Sequence, residues 1–493
     1  MTLTLKAHYD AIIIGSGAGG SAVAYRLATA GKRVLMVERG KELKPQAPVD
    51  PQAIGHYLYD EVAQGESAAK FLGGQTKFYG AALYRMRESD FVATEHEMGT
   101  SPAWPFPYAA LEPYYAEAEK LYKVHGDAGS DPTEPPRSAP LPHTALPHSP
   151  TVAPFIERLI QSGTVVSAIP RGIDYGDGGK CVLCPTCDAY YCQLDAKMDA
   201  ENSTLRPAVR TGNVDVALGA DCLKVVTSDD GTHATGVVLS IDGQDHSVSG
   251  DHIVVGAGLP GSMTLLWKSR TDKHPAGLGN NTGNLGKHLG GHSTGMVFPV
   301  LSAQSLKPVP ANHTKTFSIN AFYDGAPDWK YPLGVIQAAG QMPYWRTASK
   351  VMKLPAWLLA QTSLTCFYMI EAVPSQESGY TVTADGISAK VEPQLATGTF
   401  EKARCNAVGI FKKAGYPSIA RRRQAYFWHE TGTVVIGNDP ATSVCNADCE
   451  VHDIKNLYVV DASALPTAGA VNTCLTIVAV ALKAADAILA KAA

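Results

Sequence analysis

At 493 residues the chain holds about three domain-sized units and can bury a sizeable core. Hydrophobic residues make up 45% and charged residues 18%, which excludes a disordered or coiled-coil chain. Forty-two Lys+Arg against 46 Asp+Glu give a formal net charge of −4, so there is no basic footprint for nucleic acid.

The N-terminus lacks a charged region followed by an apolar one, and no apolar run approaches the roughly 18 residues of a spanning helix. A cytoplasmic protein without a transmembrane segment is expected. Tyr9 to Ile14 is a short apolar run suited to a buried parallel strand. Gly15-Ser-Gly-Ala-Gly-Gly20 follows, then a helix-forming stretch from Ser21 to Ala30 that stops at Gly31. Arg33 to Val37 predicts a second strand ending at Glu38. The unit is βαβ. In it Gly15, Gly17 and Gly20 form G-x-G-x-x-G, and Glu38 follows at about the 20-residue spacing of a carboxylate that binds a nucleotide ribose. Gly15 permits the tight turn, Gly17 lets backbone approach a pyrophosphate, and Gly20 lets helix and strand pack closely. The motif alone does not separate FAD from NAD.

Residues 127–154 are Pro-rich and weakly periodic, a loop or lid. Cys181, Cys184, Cys187 and Cys192 then form C-x2-C-x2-C-x4-C. Thiolates so closely spaced can converge on an iron–sulfur cluster or on a structural zinc ion, or they can stay metal-free. All three readings stand at this point. Cys445 and Cys449 read as structural. Val214 to Val226 and Ala234 to Ile241 predict a hairpin around Asp229-Asp230-Gly231. His252 to Ala257 predicts a buried strand, followed by a helix from Gly261 to Trp267. Lys350 to Leu359, with Trp345, Arg346 and Trp357, reads as a helix of an inserted domain, with a membrane-facing or lid helix as the alternative. A strand at Asn456–Val460 and a helix at Thr473–Leu489 close the chain. Nucleotide-like signals at both ends, with unlike material between, imply one discontinuous cofactor domain that carries an insertion.

Three blocks together resemble the glucose–methanol–choline (GMC) flavoprotein oxidoreductases. They are the glycine motif, Phe71-Leu-Gly-Gly-Gln-Thr-Lys-Phe-Tyr-Gly-Ala-Ala-Leu-Tyr-Arg85, and a C-terminal block. In the last, His429-Glu-Thr-Gly-Thr433 with Gly437 resembles H-x-x-G-T-x-x-x-G, and Leu457 to Ser463 resembles L-x-V-V-D-A-S. Asn472 stands 43 residues after His429, where the family places a second catalytic His or Asn. Ile253 to Gly258 and the stretch from Leu285-Gly286 to His292 add support.

The resemblance implies an α/β protein: a discontinuous Rossmann-like FAD-binding domain (1–110, 195–295 and 430–493) with an inserted α+β substrate domain on an antiparallel sheet (296–429). Residues 111–194 would form a lid and the Cys-rich segment. FAD would lie on Gly15, Gly17, Gly20 and Glu38 and near Gly73 and Gly74, with Asp461, Ala462 and Thr473 at the far end of the pyrophosphate and the flavin. The family often carries Asn or His-Asn where Phe78 and Tyr79 stand here, so a covalent flavin link through His is not expected. The implied activity is oxidation of the CH–OH group of an alcohol, sugar or glycoside. His429 would take the hydroxyl proton and Asn472 would hold the oxygen. Oxygen, a quinone or a cytochrome-type partner would accept the electrons; a cluster at Cys181–Cys192 would favour a dehydrogenase. A non-redox lyase on the same scaffold and an electron-transfer flavoprotein are the rival readings. His288 and His292 read as surface or packing residues.

Overall fold

A computed structural model of the chain describes residues 5–43, 71–184, 187–301, 315–340, 348–383 and 386–491. Trp345 and Arg346 lie outside the described residues.

The opening apolar run forms β1 (His8–Ile14) and, after the glycine turn, α1 (Ala18–Thr29). β2 (Val34–Glu38) is buried at every position and pairs in parallel with β1, Ala11 opposite Val34. Burial on both faces is why these strands read as unbroken apolar runs rather than alternating ones. α1 starts three residues before the helix-forming stretch, because its glycines are packed against strand ends and open the helix themselves.

The expected strand from Val214 to Val226 is broken at Gly219, whose φ is +67°. β3 (Val214–Leu218) runs parallel beside β2, while β4 (Ala220–Thr227) turns away to pair with β5 (Ala234–Ile241) in an antiparallel hairpin. β6 (Gln244–Val255) serves both halves of the sheet. Its first residues pair antiparallel with β5, and residues from Ser249 onward pair parallel with β1. α2 (Leu259–Lys268) leaves the end of β6.

A second sheet is antiparallel. It is built from β7 (Gly290–Pro299), β8 (Phe317–Ile319), β9 (Val335–Ala338), β10 (Cys366–Ala372), β11 (Ser418–Ala420) and β12 (Tyr426–Thr431). The order is β11-β7-β10-β9-β8, with Ser167–Ala168 beyond β8 and β12 also on β7. α3 (Lys353–Thr362) leaves Leu354, Trp357 and Leu358 exposed and buries Ala360. α4 (Thr397–Lys413) lays Phe400, Ala403, Ala407 and Phe411 on the sheet, with Phe400 5.1 Å from the Tyr368 ring. The divisions expected at 295/296 and 429/430 fall inside β7 and β12. Both strands run on through strand pairing that composition does not mark.

The chain then returns to the first sheet. β13 (Leu457–Val459) pairs in parallel with β6, and α5 (Cys474–Lys491) packs on α1 and on the helix Tyr108–Leu121. The parallel order β3-β2-β1-β6-β13 is a Rossmann-like core. Among the described residues no helix is long and apolar enough to cross a membrane.

Candidate active site

The glycine turn is built for close approach. Gly15 has φ +97°, and a Cβ there would stand 2.3 Å from the Gly256 carbonyl oxygen. A Cβ on Gly20 would meet the Gly15 oxygen at 2.0 Å, and one on Gly19 the Val460 oxygen at 1.8 Å. Gly17 differs: nothing lies within 4 Å of its Cβ position. α1 has no side-chain cap, so its first amide N–H groups and the open face of Gly17 leave a seat for an anion. Glu38, buried at the end of β2, accepts from the Ser16 amide at 3.1 Å, from Ser16 Oγ at 2.5 Å and from the Gly40 amide at 2.7 Å. The Gly73 amide donates to the same Ser16 Oγ at 2.9 Å, which folds the Gly73–Gly74 turn over the motif. Asp461 accepts from the Gly258 amide at 2.9 Å, from Ser262 Oγ, and from the Ser463 amide at 2.8 Å. Its carboxylate thus ties the end of β6 to the turn at Ala462. Thr473 is buried immediately before α5. An uncapped helix start, an unobstructed glycine and a terminal carboxylate together fit a dinucleotide such as FAD.

The second constellation depends on a β-bulge. β12 pairs with β7 through Trp428 opposite His292 and Thr431 opposite Gly290. His429 and Glu430 therefore stand against Gly291 alone. His429 takes φ +53°, a conformation a bulge can impose and one that re-aims the side chain. Its Nε2 lies 3.3 Å from Asn472 Nδ2, so the structure brings the two expected residues together. Two residues that sequence reasoning did not assign complete the group. His292 Nδ1 is 2.9 Å from His429 Nδ1, and His292 Nε2 is 3.4 Å from the Ala468 carbonyl oxygen. Gln337, buried on β9, donates from Nε2 to Asn472 Oδ1 at 2.8 Å.

Burial holds the basicity of His429 well below the ordinary imidazole range; His292 and Lys315 add to this and Asp188 opposes it. Burial brings His292 down to about 4. Both rings are neutral at pH 7, and a neutral imidazole can accept a proton. From sequence alone His292 reads as a surface or packing residue. The signal for its role was β7 itself, a run rich in Gly, His, Ser and Thr that is nevertheless buried at every position.

The sequence leaves three readings of the cysteine segment. Cys181, Cys184, Cys187 and Cys192 are unbridged and half-buried. Among the described residues no three His, Cys, Asp or Glu side chains are grouped to hold a metal ion. The segment as folded therefore gives no support to an iron–sulfur cluster or a zinc site. Backbone contacts hold it in place. The Cys181 amide donates to Asp174 O at 2.8 Å, the Ala189 amide to Phe78 O at 2.9 Å, and Lys197 Nζ to the carbonyls of Cys187 at 2.9 Å and Tyr190 at 2.7 Å. Leu183 and Ala189 both take positive φ. These contacts tie the segment to Asp174, Phe78 and Lys197. Cys184 donates to Cys187, which pulls the Cys187 thiol down to about 5 with help from Arg171 and Lys197. Next in sequence, Asp188 pairs with Lys315 at 3.1 Å.

Comparison with known proteins agrees with this architecture. Family models described as GMC oxidoreductase match residues 9–293 and 382–481. The chain is 30% identical to "Paromamine 6'-oxidase" of Streptomyces fradiae, over 97% of this chain and 91% of that protein. It is 29% identical to "6'''-hydroxyparomomycin C oxidase" of Streptomyces lividus, again over 97% and 91%. The crystal structure of pyridoxine 4-oxidase from Mesorbium loti shares the fold, with a TM-score of 0.65 at 19% identity, covering 97% of this chain and 99% of that one. With matched segments over most of its length and relatives aligned almost end to end, the chain belongs to the GMC oxidoreductase family.

Proposed function

We propose that this oxidoreductase uses FAD to oxidise the CH–OH group of a sugar-type alcohol, with His429 as the base. The single observation that carries the reading is a neutral His429 whose Nε2 faces Asn472 Nδ2 at 3.3 Å. Gly15, Gly17, Gly20, the start of α1, Glu38, Gly73, Gly74, the Asp461–Ala462 turn and Thr473 would hold the cofactor. When bound, FAD supplies the two-electron acceptor for the carbon-bound hydride. Asn472 Nδ2 donates to the substrate oxygen and fixes it beside His429 Nε2, which takes the hydroxyl proton as the C–H bond breaks. Misplacing that oxygen by about 1 Å would cost on the order of a hundredfold in rate. Amino-sugar and sugar alcohols are the first substrates to try, and dioxygen the first acceptor, because the two relatives above are named oxidases of such compounds. A quinone or cytochrome-type acceptor is the alternative for the oxidative half.

Anaerobic mixing of the holoenzyme with a panel of sugars, amino sugars and simple alcohols tests this. Bleaching of the flavin by one class supports the reading. Turnover with the flavin still oxidised would indicate a lyase, and bleaching only by a reduced protein would indicate an electron-transfer flavoprotein. Readmitting oxygen, or adding a quinone analogue, then identifies the acceptor.

A further inference from the structure

We infer that His292 is a positioning residue that selects the tautomer of His429: its Nδ1 lone pair holds the His429 Nδ1 proton, and this leaves His429 Nε2 as the acceptor, held by Asn472 Nδ2 at 3.3 Å until the substrate hydroxyl replaces that contact. The inference rests on the reading of His429 as the base and adds how that base is kept in its reactive form.

The assignment follows from which atoms can donate. The Ala468 carbonyl can only accept, so the His292 nitrogen facing it at 3.4 Å, Nε2, carries the hydrogen. His292 is fully buried and stays neutral, so its Nδ1 bears a lone pair. His429 Nδ1 sits 2.9 Å from that lone pair. Two lone pairs at this distance repel, so His429 Nδ1 carries a hydrogen and donates it. His429 is itself neutral, which leaves Nε2 as its acceptor. The far side agrees independently. Gln337 Nε2 donates to Asn472 Oδ1, so the Asn472 amide turns Nδ2, a donor, toward His429 Nε2. From Ala468 through His292, His429 and Asn472 to Gln337, each contact pairs one donor with one acceptor. Reversing any one of them makes two donors or two acceptors meet.

The fold enforces the pair. His292 lies opposite Trp428 on β12 and Glu371 on β10. The bulge at Gly291 turns the next residue, His429, back toward it, with ring centroids 5.0 Å apart and nearly perpendicular. Lys315 and Asp188 also act on His429 electrostatically, in opposite senses. They form an ion pair with each other, and the contact of His429 Nδ1 is His292 Nδ1. When His429 takes the hydroxyl proton on Nε2, the positive charge is shared through Nδ1–H with His292 and the Ala468 carbonyl. No further proton acceptor is needed during the step.

The test compares His292→Leu with His292→Asn in the FAD-loaded enzyme. Both lose the bond to Ala468, but the Asn Oδ1 can take the place of the imidazole Nδ1 as acceptor. The Leu variant is expected to lose about a hundredfold or more in anaerobic flavin reduction at saturating substrate, with KM changed by less than about threefold. The Asn variant is expected to recover at least about tenfold of that loss. A Leu variant within about threefold of wild type, or equal rates for Leu and Asn, would overturn the inference. Should Leu fail to retain FAD, the ¹⁵N spectrum of histidine-labelled wild-type protein decides, with His429 assigned by its absence in His429→Asn. Protonation at Nδ1 supports the inference and protonation at Nε2 overturns it. That spectrum is independent of catalysis. Normal flavin reduction by His429→Ala would defeat the base assignment while leaving the tautomer result standing.

Discussion

Gln337→Leu isolates the orientation of the Asn472 amide from the rest of the site. In the native protein Gln337 Nε2 donates to Asn472 Oδ1 at 2.8 Å, and this contact decides which end of the amide faces His429. A neutral hydrogen bond contributes about 1 kcal/mol net, and leaving a buried acceptor unpaired costs about 1–3 kcal/mol. Asn472 is only half-buried, so the lower end applies, about 1–2 kcal/mol. At about 1.4 kcal/mol per tenfold, the leucine variant should reduce its flavin roughly 5- to 30-fold more slowly. Gln337→Glu should be worse, although glutamate is closer in shape. Its carboxylate lone pairs would face Asn472 Oδ1 and force the amide to turn, which places Oδ1 against His429 Nε2. His292 keeps the His429 proton on Nδ1, so Oδ1 and Nε2 meet as two acceptors and the substrate oxygen loses its donor, a loss of about a hundredfold or more. Acid would protonate the introduced carboxyl and restore a donor, so the deficit relative to wild type should shrink as pH falls. The assay is stopped-flow anaerobic reduction with a substrate from the panel, with FAD content and Tm measured in parallel. A glutamate variant within about threefold of wild type, or one faster than the leucine variant, would refute the reasoning.

Other expectations follow from the same geometry. His429→Ala should retain FAD yet reduce it at least about a hundredfold more slowly, and near-normal bleaching would remove it as the base. Because burial depresses the His429 pKa below its ordinary 6.5, flavin reduction should stay level through neutrality and fall only below that value; an acid limb centred at or above 6.5 would contradict this. His292, lowered from 6.5 to about 4, contributes stability that is complete above 6.5 and lost as pH falls toward 4, about 3 kcal/mol, readable from urea midpoints across that interval. Gly17→Val should abolish FAD retention while leaving the fold intact, since nothing lies within 4 Å of the added Cβ. Gly19→Ala, whose Cβ would strike the Val460 carbonyl at 1.8 Å, should lose soluble protein altogether; equal FAD loading in Gly17→Val and wild type would argue against the anion seat. Purified protein should carry no stoichiometric iron or acid-labile sulfide, and Cys184→Ser with Cys187→Ser should change flavin reduction by less than about threefold; iron bound in proportion to FAD would reverse the reading of the segment.

What could be read from the chain alone follows a physical divide. The βαβ opening, β6, β13 and α5 were legible because parallel strands buried on both faces must be continuously apolar, and because a turn as tight as that at Gly15 admits only glycine. The break at Gly219 escaped, since one glycine inside an apolar run does not reveal that the two halves pair with different neighbours. β7 escaped as a core strand because its buried residues are largely small or polar. Among them His292 finds its partners at His429 on β12 and at Ala468, across gaps that no local spacing encodes. His429 and Asn472 were found through a motif that names both. His292 and Gln337 act through those two residues, so they become visible only once the bulge at Gly291 and the register of β9 place their donors and acceptors. The cysteines show the converse. Their spacing would allow convergence, but it carries no information on the path of the intervening backbone, which Lys197 holds through the carbonyls of Cys187 and Tyr190. A motif therefore points to the residue proposed as the base, while the hydrogen bonds around it belong to the tertiary structure. At this site the two meet at a single atom, His429 Nδ1: the motif supplies its ring, and β7 supplies the acceptor that decides where the proton rests.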